Sequence, residues 1–182
     1  MKIINNVLTK EECNEIIKYC KNIKLYNHLS LIGDAKSNHG KGHFILNNIN
    51  KNIYKKILNE THEYVDNIGL NKVIINNSWV NFQKNGSRLD KHCHPDSVVS
   101  GVIYLKTDIN SSKIYFYNPN PLVYFLKVKE TKKNNYEYVY FKPEIGDLII
   151  FPSWLIHGSN NDINKSKERI ALSFNTKYEI KK

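Results

Sequence analysis

The chain has 182 residues, of which 41% are hydrophobic and 24% charged, and its formal net charge is +10. This length suits one domain with a sizeable core, which we expect to span residues 1–182. No apolar run reaches the roughly 18 residues of a membrane-spanning helix, so no membrane segment is expected.

The positive charge does not indicate a nucleic-acid partner. Nearly all of it is lysine dispersed along the chain, without a compact basic run that alternates with aromatic residues. Arginine occurs only at Arg88 and Arg169, in a chain where lysine is common. A guanidinium binds a carboxylate with two parallel hydrogen bonds, and lysine does not. An arginine in such a lysine-rich chain therefore suggests that this two-point binding is needed at its position.

The cysteines indicate a reducing compartment. Cys13, Cys20 and Cys93 are odd in number and form no C-x-x-C pair, so reduced thiols are expected rather than disulfides. The first residues also lack the apolar core and cleavage site of a secretory signal. The protein is therefore expected to be cytoplasmic, and the sequence does not indicate its oligomeric state.

The N-terminal part, residues 1–70, is predicted to be helical support for the rest. Thr9 and Glu12 form a capping-box pattern, and the apolar residues that follow have helical spacing, which predicts a helix over 10–23. Residues 25–45 are polar and glycine-rich, which is typical of a loop that contains a short strand. A second helix is predicted over 49–68.

From residue 72 to 178 the pattern changes to short β-branched and aromatic runs separated by turn residues. The predicted strands are 73–75, 79–82, 98–105, 113–117, 122–126, 136–141, 147–151 and 169–174. This number of strands suits a mainly β fold of the jelly-roll (cupin-like) type, with the two helices packed on one sheet.

A candidate metal site lies in His92-Cys-His-Pro-Asp96. In an extended strand, alternate residues share a face, so His92, His94 and Asp96 would point the same way. His157, just past a buried strand, can supply a further ligand. Two histidines and one carboxylate with open positions are the ligand set of non-haem Fe(II) oxygenases.

Several stretches together resemble the 2-oxoglutarate- and Fe(II)-dependent oxygenases, in particular a bacterial and phage subfamily. The resemblance covers residues 79 to 175. The matching stretches are Trp79-Val-Asn81, His92-x-His94-Pro95, Ser100-Gly-Val-Ile-Tyr104, Phe151-Pro-Ser-Trp-Leu-x-His157 and Glu168-Arg-Ile-x-Leu-Ser-Phe-Asn175.

The resemblance implies a double-stranded β-helix that binds iron, 2-oxoglutarate and O2, with ascorbate as a possible reductant. Carried over, His157 is the distal iron ligand, and Arg169 binds the far carboxylate of 2-oxoglutarate. Tyr104 stands where related hydroxylases place a hydroxyl on that carboxylate. Related enzymes often have Arg-x-Ser in the last strand, whereas this chain has Ala171 there. The side chain of Ser173 points to the same face of this strand as Arg169, so Ser173 is the alternative cosubstrate contact.

The proximal iron ligands can be read in two registers. His94-x-Asp96 gives the H-x-D pattern with its carboxylate, whereas His92-x-His94 fits the spacing from Gly86 better and gives a three-histidine site. The residue left out would orient a ligand by hydrogen bonding.

Other histidines, tryptophans and asparagines are expected to have ordinary structural positions. The expected surface residues are His28, His39, His43 and His62, and the expected core residues are Trp79 and Trp154. The sequence is compatible with either strand-end caps or pocket residues at Asn81 and Asn175.

Four functions compete at this level. The first is an Fe(II)/2-oxoglutarate oxygenase, most simply a hydroxylase of an unidentified substrate. The second is a metal-binding jelly roll without turnover, the third a three-histidine cupin-like dioxygenase without 2-oxoglutarate, and the fourth a phage-type structural protein. Arg169 favours the first, because neither a neutral substrate nor an assembly role requires a fixed cation inside the barrel.

Overall fold

The structure is a computed structural model that describes residues 1–42, 44–132 and 135–180. The helices are α1 (Lys10–Cys20) and α2 (Lys51–Asn67). The strands are β1 (Lys2–Ile4), β2 (Leu31–Ile32), β3 (Ala35–Ser37), β4 (Val73–Lys84), β5 (Arg88–Leu89), β6 (Val99–Lys106), β7 (Ile114–Tyr117), β8 (Tyr138–Phe141), β9 (Leu148–Pro152), β10 (His157–Gly158) and β11 (Glu168–Tyr178). In the described ranges, no helix is long and apolar enough to cross a membrane.

Both predicted helices are present, with shorter bounds. The capping box at the start of α1 is complete, because the Glu12 amide donates to the Thr9 hydroxyl (3.2 Å) and the Thr9 amide donates to the Glu12 carboxylate (2.9 Å). Helix α1 ends at Cys20, three residues before the predicted end, where tighter turn bonds such as that from the Ile23 amide to the Cys20 carbonyl replace the helical pattern.

Two antiparallel sheets form the β part. The larger is ordered β1-β9-β6-β11-β4-β3, and the smaller is ordered β10-β7-β8, with β2 and β5 pairing as a separate ribbon. Side chains from both sheets meet in an apolar cluster that includes Tyr104 and Phe151 from the large sheet and Phe116 from the small one. The two sheets therefore face each other, which is the arrangement expected of a jelly roll.

The large sheet separates two environments. On β11, Ile170, Leu172 and Phe174 belong to the main core, where the helices cover the sheet through residues such as Ile16 and Ile57. The alternate residues of β11 face the small sheet and line a cavity. This period-two alternation places one polar row of the strand inside the jelly roll, while the other row holds the helices.

Three local predictions were wrong. The run 122–126, predicted as a strand, lies in a 3-10 helix (Pro121–Phe125) up to residue 125, because the Asn120 side chain accepts from the Leu122 amide at 3.0 Å and starts a turn. Trp154, predicted as core, is 61% exposed in the turn after β9. The runs 73–75 and 79–82 belong to one continuous strand, β4.

Candidate active site

A cavity of about 290 Å³ lies between the two sheets. One wall of the cavity comes from two neighbouring strands of the large sheet, because alternate residues of β4 and β11 point into it. These residues are Trp79, Asn81 and Gln83 from β4 and Arg169, Ala171, Ser173 and Asn175 from β11. In the antiparallel register, Gln83 stands opposite Arg169, and Trp79 stands opposite Ser173.

Backbone hydrogen bonds bring three histidines together at this cavity. His92 and His157 form a β-bridge in which each amide donates to the other's carbonyl at 3.0 Å. The His94 amide donates to the Ser153 carbonyl at 2.8 Å. One ring nitrogen from each histidine then lies within 4.8 Å of the others, which is close enough for a single metal ion to bind all three.

The hydrogen bonds of the rings orient their metal-binding nitrogens. We assign Nδ1–H of His92 as donor to the Asp90 carbonyl (2.8 Å) and Nδ1–H of His157 as donor to the Leu155 carbonyl (2.9 Å). Each ring then presents an unprotonated Nε2, and Nε2 of His157 lies 3.3 Å from Nε2 of His94. A carbonyl bonded to the remote nitrogen is the usual way in which proteins fix a metal-binding imidazole.

Burial also favours the neutral, metal-binding form of these rings. Desolvation lowers the pKa of His94 to about 3, and the nearby His92 and His39 act in the same direction. The same cause places the pKa of His157 well below its ordinary value. Protons therefore do not compete with a metal for these nitrogens near neutral pH.

Asp96 does not join the three histidines. The segment from His92 to Asp96 is not the extended strand that was expected, since a turn begins at Pro95 and Asp96 has a left-handed backbone with φ of 66°. Its side chain is exposed and lies outside the histidine cluster. The alternation that would have put His92, His94 and Asp96 on one face ends at this turn.

At the other end of the cavity, Arg169 is buried without an acidic partner. It is 4% exposed, donates to the Gln83 side-chain oxygen, and lies 5.0 Å from the centre of the Tyr104 ring. No described residue forms an ion pair with it. The Arg169 Nε, the Tyr104 hydroxyl and the Gln83 amide nitrogen are all buried without a hydrogen-bond partner among the described residues.

These unsatisfied groups fit an anionic ligand. Leaving a buried cation unpaired and three buried polar atoms unbonded costs several kcal/mol, unless a ligand provides the missing acceptors. Burial lowers the pKa of Arg169 and raises that of Tyr104 to about 12, so the tyrosine stays protonated and can donate. A carboxylate placed here would accept from both side chains.

The structure also places the remaining predicted residues. Ser173 lies on the cavity face of β11, as its spacing from Arg169 predicted. The side-chain oxygen of Asn175 accepts from the Ser100 hydroxyl (2.7 Å), and Ser100 bonds in turn to Ser153 (2.7 Å), whose carbonyl holds His94. Cys93 lines the cavity but is exposed.

The other histidines divide into two groups. We assign His62 Nε2–H as donor to the Val73 carbonyl (2.8 Å), which links α2 to β4 away from the cavity. His43 lies outside the described residues. His28 and His39 line the cavity, against the expectation that they are surface residues.

Sequence reasoning therefore missed His28, His39 and Gln83. Gln83 was detectable, because it continues the alternate positions of Trp79 and Asn81 on one strand. His28 and His39 lie in a segment with little strand pattern, and only the structure brings them to the cavity.

The donor set fits iron. Three neutral imidazole nitrogens around one point leave coordination positions open, and imidazole is a suitable ligand for iron. The unpaired Arg169 and Tyr104 face the same cavity and fit the distant carboxylate of a dicarboxylate such as 2-oxoglutarate.

Comparison with known proteins agrees with this geometry. Residues 77–175 match the family described as "Putative 2OG-Fe(II) oxygenase". The matched region includes the three histidines, Tyr104 and Arg169, whereas the helices lie outside it. No curated protein matches the chain at a significant level.

Solved structures show the same fold at low sequence identity. HygX from Streptomyces hygroscopicus, with nickel and 2-oxoglutarate bound, is 9% identical with a TM-score of 0.68, over 98% of this chain and 82% of HygX. A viral collagen prolyl hydroxylase from Paramecium Bursaria Chlorella virus-1, in its 2OG complex, is 16% identical with a TM-score of 0.60, over 98% and 96%. A prolyl hydroxylase from Trichoplax adhaerens, with a hypoxia inducible factor peptide fragment, is 16% identical with a TM-score of 0.63, over 96% and 82%.

The predicted double-stranded β-helix, with two helices on one sheet, is thus confirmed. The family match spans more than half of the chain and contains every residue of the histidine cluster. The chain therefore belongs to the 2OG-Fe(II) oxygenase family.

Proposed function

We propose that this protein oxidises a C–H bond of an organic substrate with Fe(II) and 2-oxoglutarate held by the cavity residues described above. The observation that supports this most strongly is Arg169, a buried cation with no counter-charge among the described residues, in the cavity that also holds the three histidines. Arg169 lies four residues along β11 from Ser173, and Ser173 pairs with Trp79 beside His94. Four residues of strand span about 13 Å, which a short dicarboxylate and the arginine side chain together can bridge.

In this proposal, His92, His94 and His157 hold the iron through Nε2. The carbonyls of Asp90 and Leu155 keep two of these rings in the tautomer that leaves Nε2 free. His94 has a different support, because its ring packs near Trp79 (5.6 Å) and Phe151 (6.4 Å). Asp96 is not a ligand in this arrangement, and the site carries no carboxylate of its own.

Arg169 and Tyr104 bind the far carboxylate of 2-oxoglutarate, with Gln83 fixing the orientation of the guanidinium. Bound together, Fe(II) and 2-oxoglutarate supply the activation of O2 and the oxidising power. The protein contributes orientation and exclusion of water, since apolar residues such as Phe151 and Ile114 complete the cavity wall. We propose Ser173 as a polar contact on the same wall. The three free cysteines support a reducing, cytoplasmic location.

The first test is anaerobic titration of the protein with Fe(II) and then 2-oxoglutarate, monitored by the visible metal-to-ligand charge-transfer band. We expect the band to form in the wild type and in Arg88→Ala. In Arg169→Ala, about tenfold more 2-oxoglutarate or more should be needed, because charge-assisted hydrogen bonds are lost. Arg88 is a matched control, since it is partly exposed and paired with Asp90 at 3.3 Å.

Two outcomes would contradict the proposal. If iron binds but 2-oxoglutarate produces no band, the three-histidine dioxygenase without this cosubstrate becomes the better description. If Arg169→Ala and Arg88→Ala have the same affinity for 2-oxoglutarate as the wild type, Arg169 does not bind the cosubstrate.

A second test decides between the two ligand registers. We expect His92→Ala to weaken Fe(II) binding at least about tenfold, whereas Asp96→Ala should leave it within about twofold, because only the histidine ring belongs to the cluster. Equilibrium dialysis under nitrogen measures both affinities directly. The opposite ranking would restore the His94-x-Asp96 register.

A further inference from the structure

His28 and His39 form a hydrogen-bonded pair on the cavity wall. They lie in the segment between α1 and α2, which is outside the region matched by the family. His28 Nε2 lies 3.0 Å from His39 Nδ1, and the two rings meet edge to face at 4.8 Å between centroids. Neither ring belongs to the three-histidine cluster.

The surrounding hydrogen bonds determine where the protons of this pair lie. The Ser30 backbone amide donates to His28 Nδ1 at 3.2 Å, so that nitrogen carries no proton. The His28 proton is then on Nε2 and is donated to His39 Nδ1. His39 must therefore carry its own proton on Nε2. These two hydrogen bonds act in series, because each donor determines the tautomer of the ring that accepts from it.

This series of hydrogen bonds ends at the Nε2–H group of His39, which has no acceptor among the described residues. None of the described residues accepts a hydrogen bond from His39 Nε2, although His39 lines the cavity. The ring lies 4.4 Å from Trp79, and Trp79 lies 5.6 Å from His94. The free N–H is thus two aromatic contacts away from a proposed iron ligand.

Besides the ring contacts, backbone hydrogen bonds hold the shape of this segment. Tyr26 and Ser37 exchange two backbone hydrogen bonds at 2.8 Å, and the Leu31 amide donates to the His28 carbonyl at 3.0 Å. Strands β2 and β3 then attach the segment to β5 and β4. The rings do not form a metal site, because their facing nitrogens share a proton and no third ligand joins them among the described residues.

We propose that His39 is a substrate-positioning residue whose Nε2–H donates to a carbonyl oxygen of the substrate, with His28 fixing the tautomer. This inference rests on the proposed function, because it places the subsite beside the proposed iron ligands. The substrate class is a carbonyl-bearing compound or residue whose apolar part lies against Trp79, Leu31 and Leu89, which line the same cavity as His39. The hydrogen bond would hold the carbon to be oxidised at a fixed distance from the metal.

The test is nitrogen NMR on protein labelled with 15N-histidine and loaded with 2-oxoglutarate and Zn2+, a diamagnetic substitute for Fe(II). The probe is cyclopentanone, and the matched control is methylenecyclopentane, which has the same ring but no acceptor oxygen. In the free protein, we expect His39 to be protonated at Nε2. Cyclopentanone should then shift this N–H signal saturably, and methylenecyclopentane should not.

Variants of His39 and His28 distinguish a role in positioning the substrate from a role in holding the structure. His39→Leu should weaken cyclopentanone binding about fivefold, the value of one net hydrogen bond. His39→Gln should restore it, because its amide nitrogen can donate from nearly the same place. His28→Ala should weaken binding in the wild type but not in the His39→Gln background, since an amide donor has no tautomer to fix.

Three results would overturn the inference: a proton on His39 Nδ1, equal shifts with both probes, or unchanged cyclopentanone binding in His39→Leu. The proposed function is tested independently, because 2-oxoglutarate affinity is measured by the charge-transfer band on iron. A protein that responds to cyclopentanone as expected but binds no 2-oxoglutarate would contradict the proposed function alone.

Discussion

At the scale of single residues, Gln83 orients the guanidinium of Arg169 in the cavity. Its side-chain oxygen accepts from the guanidinium, while its own amide nitrogen stays buried and unbonded. An amide can orient the arginine without neutralising it, which leaves the positive charge available to a ligand. A carboxylate at the same position would form an ion pair and remove that availability.

This difference leads to a prediction for Gln83→Glu. The new carboxylate should pair with Arg169 and weaken 2-oxoglutarate binding by more than about tenfold, since a charge-assisted contact is worth about 1.5–3 kcal/mol. Gln83→Met is the matched control of similar shape; it should weaken binding only severalfold, because it leaves the cation unpaired. Both affinities are read from the charge-transfer titration. If Gln83→Glu binds 2-oxoglutarate with the affinity of the wild type, the positive charge of Arg169 does not contribute to binding this ligand.

Several site residues could be predicted from the sequence because they lie next to strand patterns. The motifs that contain His94, His157, Tyr104 and Arg169 resemble the oxygenase family, and they lie in or near strands β6, β10 and β11. The choice between His92 and Asp96 could not be made, because it depends on a turn at Pro95 that interrupts the alternation. A two-residue periodicity cannot reveal where a chain stops being extended.

At the scale of elements, the start of α1 is determined by its own sequence. Its capping box satisfies two terminal amide groups locally, and its four buried residues then pack on the large sheet. The error at 122–126 shows the opposite case, because an apolar run of five residues is compatible with either a strand or a turn of helix. There the deciding group was the side chain of Asn120, just before the run.

The capping box gives a prediction for stability. Thr9→Ala should lower the free energy of unfolding by about 1 kcal/mol, because the Glu12 amide loses its acceptor. The matched control is Lys10→Ala, at the next position, where an exposed side chain makes no such bond and the change should be within about 0.5 kcal/mol. Urea unfolding followed by circular dichroism measures both. Equal stabilities of the two variants would mean that other contacts start α1.

At the scale of the whole molecule, the large sheet combines two tasks in one layer. One face provides the apolar surface that holds the helices, and the other provides the polar row that faces the ligand cavity. The layered arrangement could be predicted from the sequence, because it follows from alternation and from helix periodicity. The closure of the cavity could not, because it depends on short bridges such as His92 to His157, which have no sequence pattern.

The segment of residues 25–42 contributes His28 and His39 to the cavity but lies outside the family region of 77–175. Its attachment to the oxidising half depends on the short pairings of β2 with β5 and β3 with β4. Mutations in this segment can therefore alter the cavity wall without replacing any residue of the proposed iron and cosubstrate sites. In evolutionary terms, the substrate of such a protein can change through substitutions in one short segment, and in engineering terms this segment is the natural place to introduce a new specificity.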